Sequence, residues 1–154
     1  MNSRKSARRK TAPRPVAGRG AYELRLASNP RNIGRVEGFL NDVNRKARLD
    51  DGTMYRLLVA CTEAVNNAII HGNHSDPAKE VVVTCRISRN CLQLRVRDQG
   101  TGFDADHLPN PVEERNLLRE SGRGVFLMRS LMDEVKFRRL RKGSTVTMRI
   151  CMER

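Results

Sequence analysis

The stretch EVVVTCRISRNCLQLRVRDQGTG, residues 80–102, is where the hydrophobic period of this chain changes from helical to extended. EVVVTCRIS (80–88) and CLQLRVRD (91–98) are β-rich runs, and the Arg-Asn pair between them makes a short turn, so the two read as a β-hairpin. Upstream the apolar spacing is helical. In RNIGRVEGFLNDVNRKARLD (31–50) the residues Ile33, Val36, Phe39, Leu40, Val43 and Ala47 share one helical face. Asp50, Asp51 and Gly52 break that helix, and either Asp can cap the next segment, roughly 53–71. There Leu57, Leu58, Cys61, Ala64, Val65, Ala68 and Ile69 form a second apolar stripe.

Farther out, AYELRLAS (21–28) alternates as a strand, and the SNP that follows is turn chemistry able to cap a helix. QGTGFDADHLPNPVEERNLLRESGRG (99–124) carries Gly and Pro at intervals and no sustained apolar period. It reads as mostly loop, with a short helical piece around Glu113 to Leu118 and the length of a functional lid. VFLMRSLMDEV (125–135) predicts a third helix, and VKFRRLR with STVTMRICM, around Lys142-Gly143, a closing hairpin. The order β-α-α-β-β-loop-α-β-β does not alternate one to one, which disfavours a doubly wound parallel sheet. The expected class is α+β: a two-layer α/β sandwich, with a mixed, mostly antiparallel sheet and helices on one face.

Composition sets the bounds. A chain of 154 residues fits one domain of ordinary size. Residues 1–20 hold seven basic residues (Arg4, Lys5, Arg8, Arg9, Lys10, Arg14 and Arg19), no acid and almost nothing apolar, so they are expected to be a disordered basic tail ahead of a domain at 21–154. The net charge is +13, and with the tail set aside 23 basic residues still face 17 acidic ones. Such a tail can bind nucleic acid weakly through charge, but direct nucleic-acid binding is not the expected role. No apolar run approaches a membrane span and the tail lacks the apolar segment of a signal peptide, so the expected location is cytoplasmic, with no membrane. Cys61, Cys85, Cys91 and Cys151 form no C-x-x-C pair and lie in apolar periodic segments, which reads as buried, reduced thiols and argues against zinc.

Three short motifs carry chemistry. Counting about 100° per residue from Cys61, the second helix places Glu63, Asn67 and His71 on a ridge turned away from its core stripe. A carboxylate and a carboxamide at i and i+4 can grip one ligand: Asn offers a carbonyl oxygen to Mg²⁺, and Glu can take a proton. Taken alone, such a pair is an ordinary solvated face. Asp98 ends a strand and is followed by Gly100 and Gly102, a turn able to wrap a ligand, with a carboxylate to accept from an exocyclic amine. Gly122 and Gly124 in SGRGVF stand where a long loop enters a helix, a natural site for phosphate, although neither a Walker A motif nor a complete G-x-G-x-x-G is present.

Taken together and in this order, Glu-x-x-x-Asn on a helix, Asp-x-Gly-x-Gly after a strand and Gly-x-Gly opening a later helix resemble the ATP-binding domain of the GHKL superfamily of gyrase, histidine kinases and MutL. Residues 21–152 are most similar to its short version, the anti-sigma factor serine/threonine kinases of the RsbW and SpoIIAB type, with EAVNNAIIHGN, DQGTGF and SGRGVFLMRSLMDEV close to that family's motifs. The resemblance implies ATP and Mg²⁺ as cofactors, Glu63 as general base and Asn67 as Mg²⁺ ligand. It implies Asp98 at the adenine amino group, Gly100 and Gly102 around the base, and Gly122, Arg123 and Gly124 against the phosphates. Ser144 would support the adenine site, with Thr145 as its rival, and Arg115, Arg119 and Arg123 could add charge at the phosphates. It further implies a homodimer that binds a sigma factor and phosphorylates a STAS-domain anti-sigma factor antagonist. The alternative is a nucleotide-dependent binding module without kinase activity.

Overall fold

A computed structural model describes residues 14–15, 20–100 and 122–152. In chain order they form β1 (Arg14–Pro15), β2 (Ala21–Ala27), α1 (Arg35–Ala47), α2 (Asp51–Asn67), β3 (Glu80–Ile87), β4 (Cys91–Arg97), α3 (Gly122–Leu131), β5 (Glu134–Arg139) and β6 (Ser144–Cys151). The sheet order is β1-β2-β3-β4-β6-β5, and every pairing is antiparallel. This is the expected two-layer α+β sandwich, except that the described strands include no parallel pair, so the sheet is antiparallel where a mixed one was expected. Most of the expected tail lies outside the described residues, but within it Arg14 and Pro15 pair with Glu23 and Tyr22 of β2. The lid reading at 101–121, including Gly102, Arg115 and Arg119, also lies outside the described residues.

Strand alternation decides the two faces. Leu92, Leu94 and Val96 of β4 and Val146, Met148 and Ile150 of β6 are buried beneath the helices, together with Val81, Val83 and Cys85 of β3. The helices contribute Val36, Phe39, Leu40 and Val43 from α1 and Leu57, Ala60, Cys61, Ala64 and Val65 from α2, the stripes foreseen from spacing. Asp50 caps α2: its carboxylate accepts from the Thr53 backbone N–H at 2.8 Å and from the Thr53 hydroxyl at 2.7 Å.

Three boundaries differ from the sequence reading. After Asn67 the helix widens into a π turn, Ala68–Gly72, in which the Asn73 N–H bonds the Ala68 carbonyl five residues back. The third helix starts at Gly122, three residues earlier than expected. It ends at Leu131, because Glu134 and Val135 are drawn into β5 opposite Arg149 and Met148. Arg56 of α2 donates to the Leu131 carbonyl at 2.8 Å and so finishes that end.

The cysteine expectation holds for two residues and fails for two. Cys61 and Cys85 are buried free thiols, and burial pushes Cys61 up and Cys85 up to about 12. Cys91 and Cys151 instead form a disulfide. They are direct cross-strand partners in β4 and β6 and point to the open face, opposite in parity to Leu92 and Ile150.

Candidate functional site

The site is built where α2, the π turn, the end of β4 and the start of α3 converge, and it has two parts. In the first, Glu63 and Asn67 are half-buried rather than solvated, because α3 packs across this side of α2. A Cβ on Gly124 would stand 2.8 Å from Glu63 Oε2 and 3.4 Å from Asn67 Nδ2. A side chain here would push the Glu63 carboxylate aside, so glycine lets the first turn of α3 lie against the acid-amide pair as it stands. The free backbone N–H groups of a helix N-terminus and its positive dipole end therefore face the same region as Glu63 and Asn67. Arg123 is exposed on that turn, and Gly122 is its first residue.

The second part is centred on Asp98, which continues the inward alternation of Leu92, Leu94 and Val96 and is 7% exposed. Asp98 Oδ1 accepts from the backbone N–H groups of Gly100 and Ser144, each at 3.0 Å, and the Asp98 N–H donates to the Ser144 carbonyl at 3.0 Å. Among the described residues no donor reaches Oδ2. The carboxylate is thus held by one oxygen and offers the other, the arrangement that an exocyclic amine needs. Ser144 contributes here through its backbone. Thr145, the rival residue, lies opposite Arg97 on the other face of the sheet.

Glycines let the backbone close on Asp98. A Cβ on Gly72 would collide with the Asp98 carboxylate, 2.5 Å from Cγ and 2.9 Å from Cβ, and one on Gly100 would strike the Gly72 carbonyl oxygen. Gly143 has φ +95° and passes so near the Asp98 carbonyl oxygen that a side chain has no place there. Three glycines thus pack the backbone against Asp98 as a close-fitting cradle with no room for a Cβ.

Asn73 ties the two parts together, and sequence reasoning passed over it. It is fully buried; its Nδ2 donates to the Ser28 hydroxyl at 2.7 Å and to the Glu80 carbonyl at 3.0 Å, and its Oδ1 accepts from the Gln99 N–H at 2.7 Å. One side chain therefore joins the end of β2, the start of β3, the π turn and the loop that carries Asp98. Gly72 was missed as well. The available signal was the Gly-Asn pair directly after a helical stripe, a C-terminal stop with a residue able to bond locally. His71 sits half-buried in the π turn, off the regular α-helical ridge on which the spacing had placed it.

A carboxamide and a carboxylate beside a helix N-terminus suit a divalent cation shared with phosphates, since Mg²⁺ is commonly held by one or two protein oxygens together with phosphate oxygens. The Asp98 oxygen without a donor suits a heterocycle bearing an amino group. The donor set therefore fits a Mg²⁺-nucleotide.

Residues 26–150 match the histidine kinase-like ATPase domain family. The chain is 31% identical over 132 residues to the serine-protein kinase RsbW of Bacillus velezensis, covering 82% of each chain. It is 28% identical over 120 residues to that of Oceanobacillus iheyensis, covering 74% of this chain and 76% of the relative. Among solved structures, the RsbU and RsbW domains of a Mycobacterium tuberculosis protein superpose with a TM-score of 0.65 at 18% identity. That match covers 87% of this chain and spans 32% of the other, and at this identity the likeness is one of fold.

Proposed function

This chain belongs to the RsbW-like branch of the histidine kinase-like ATPase domain family, and from that premise we propose that it is an ATP-dependent protein serine/threonine kinase acting as an anti-sigma factor. It binds a sigma factor, phosphorylates a STAS-domain antagonist on a serine or threonine, and works in the cytoplasm as a homodimer. The observation that carries this reading is the approach of Gly124 to Glu63 and Asn67, which brings a phosphate-binding helix start beside a base and a metal-binding amide.

Each role in this reading rests on the family resemblance and is supported by the contacts described above. Asp98 Oδ2 accepts from the adenine amino group while Gly100 and Ser144 hold Oδ1. Gly102, outside the described residues, is assigned to the base by the family resemblance alone. The backbone N–H groups at Gly122, Arg123 and Gly124 bind the phosphates, with the Arg123 guanidinium adding positive charge. Asn67 would hold Mg²⁺, which would supply neutralisation of the phosphate charge. Glu63 accepts the proton of the substrate hydroxyl as that oxygen bonds to the γ-phosphorus; the bond from this phosphorus to the β,γ-bridging oxygen breaks and ADP leaves.

A base at a binding site separates this reading from a sequestering module without kinase activity, since a pure binder has no use for one. The test is incubation of the chain with γ-labelled ATP, Mg²⁺ and the candidate antagonist, beside Glu63→Gln. Removing a general base lowers transfer by roughly 100- to 10,000-fold, and ATP affinity should stay near that of the wild type. Antagonist left unlabelled by a wild-type protein that binds ATP would overturn the kinase claim and leave the binding module.

A further inference from the structure

The face of the sheet turned away from the helices is strongly basic. Alternation sends Arg25 of β2, Arg86 of β3, Arg95 and Arg97 of β4, Arg149 of β6, and Lys136 and Arg138 of β5 to this side, all of them exposed. Glu23, Glu80 and Glu134 are the acids among them, and they are engaged at the two margins: Arg25 pairs with Glu23 at 2.6 Å and with Glu80 at 3.3 Å, and Lys136 with Glu134 at 2.9 Å. Among the described residues Arg86, Arg95, Arg97 and Arg138 have no acidic partner. Register aligns them: Arg138, Thr145, Arg97, Val82 and Arg25 form one row across the sheet, and Lys136, Thr147, Arg95, Thr84 and Glu23 the next.

We propose that this open sheet face is a docking surface for duplex DNA, bound through its phosphate backbone on the side opposite the nucleotide site. The chemistry selects this occupant. Protein interfaces centre on apolar and aromatic anchors and are depleted of charge there; here Val82 is the one large apolar side chain on the described strands of the face. Single strands are held by stacking on aromatic rings, and no aromatic residue of these strands points to this side. Arginine separated by threonine and glutamine is suited to phosphate, which its guanidinium grips with two hydrogen bonds. From β2 to β5 the face is about 20 Å wide at the usual strand spacing, a length over which a duplex presents about a dozen phosphate charges. The sequence alone assigned weak nucleic-acid binding to the tail; the folded sheet moves the stronger contact to these rows.

The test is fluorescence anisotropy of a labelled 30-base-pair duplex with the full chain across a salt series. Four phosphate contacts give a log–log salt slope of about −3.6, or roughly 150-fold weaker binding between 50 and 200 mM salt. A chain carrying Arg86→Gln, Arg95→Gln, Arg97→Gln and Arg138→Gln should lose that part of the slope while keeping its melting temperature and ATP affinity. The four corresponding lysine substitutions should retain most of the binding and so show that charge, not fold, was removed. A full chain with Arg4, Lys5, Arg8, Arg9 and Lys10 all changed to glutamine should keep the slope contributed by the face. Duplex binding unchanged in the four-glutamine variant and lost in the tail variant would overturn the proposal. So would binding to vesicles containing phosphatidylserine with none to the duplex. Neither result bears on phosphoryl transfer, which the Glu63→Gln assay reads separately.

Discussion

Replacing Gly72 with alanine should weaken nucleotide binding by displacing Asp98. Gly72 does not have a positive φ, so alanine meets no backbone penalty and the whole effect comes from one methyl group. That methyl would lie 2.5 Å from Asp98 Cγ and 2.9 Å from Cβ, against the ~3.5–4.0 Å of an ordinary carbon contact, so the carboxylate must retreat by about 1 Å. Its two Oδ1 hydrogen bonds, to Gly100 and Ser144, are each 3.0 Å long and cannot survive such a shift. Overpacking costs about 1–3 kcal/mol of stability, which in a chain of this size lowers the melting temperature by roughly 2–10 °C. Under the proposed adenine role, a displaced acceptor would forfeit a charged hydrogen bond worth about 1.5–3 kcal/mol, so the ATP dissociation constant should rise on the order of 10- to 150-fold. Gly38→Ala is the control: a Cβ there meets nothing, and α1 should gain about 0.5–1 kcal/mol. Calorimetric titration with ATP, alongside thermal melts, reads both quantities. A Gly72→Ala protein that binds ATP within twofold of the wild type and melts at the same temperature would show that the cradle does not position Asp98.

Three further outcomes are expected. Asn73→Ala removes three hydrogen bonds from a buried site and leaves their partners unpaired, so it should cost about 2–4 kcal/mol in urea unfolding and weaken ATP binding as the Gln99 N–H is released; stability within 0.5 kcal/mol of the wild type, or about the size of a surface change, would refute the hub. Thr53 holds Asp50 below its ordinary value of 3.8 through its hydroxyl and backbone N–H, so the cap's ionised contribution is complete above pH 3.8 and fades as the pH falls through the lower folded value; urea midpoints of the wild type relative to Asp50→Asn should fall only below that pH. The Cys91–Cys151 bridge closes a separation of 60 residues, worth up to roughly 4 kcal/mol in the chain-entropy description, so reductant should lower the wild-type melting temperature and leave a Cys91→Ser, Cys151→Ser protein unmoved.

The elements were readable where one period runs long enough to dominate. The stripes of α1 and α2 and the alternation of β3 and β4 each repeat several times, and burial of one face left little choice. Boundaries failed where a residue's local preference was overruled by a distant partner. Glycine discounts a helix, yet Gly122 and Gly124 begin α3, where a Cβ on Gly124 would press on the Glu63 carboxylate. Val135 fits the apolar period of α3, yet it pairs with Met148. The cysteines were misread for want of parity: Cys91 adjoins a buried Leu92, and in a strand the neighbour of an inward residue points outward.

What no local pattern could supply is the connection between the two parts of the site, and the π turn supplies it. Glu63 and Asn67 need a regular α-helix, since only there do residues four apart share a ridge. Asp98 needs a residue without a side chain against its carboxylate and an anchored loop beyond it. A continued α-helix would carry residues 68–73 onward at the same rotation per residue, but widening the hydrogen bonds to five residues changes that phase just after Asn67. Gly72 then lies against Asp98, and Asn73 turns inward to bond Ser28, Glu80 and Gln99. Such turns recur at functional sites because they spend a regular bond to redirect a chain. Here the redirected chain sets the relation between the acid-amide pair on α2 and the carboxylate at the end of β4. A change that regularised the turn would therefore separate two groups that each remain intact, and activity would fall without the loss of any functional side chain.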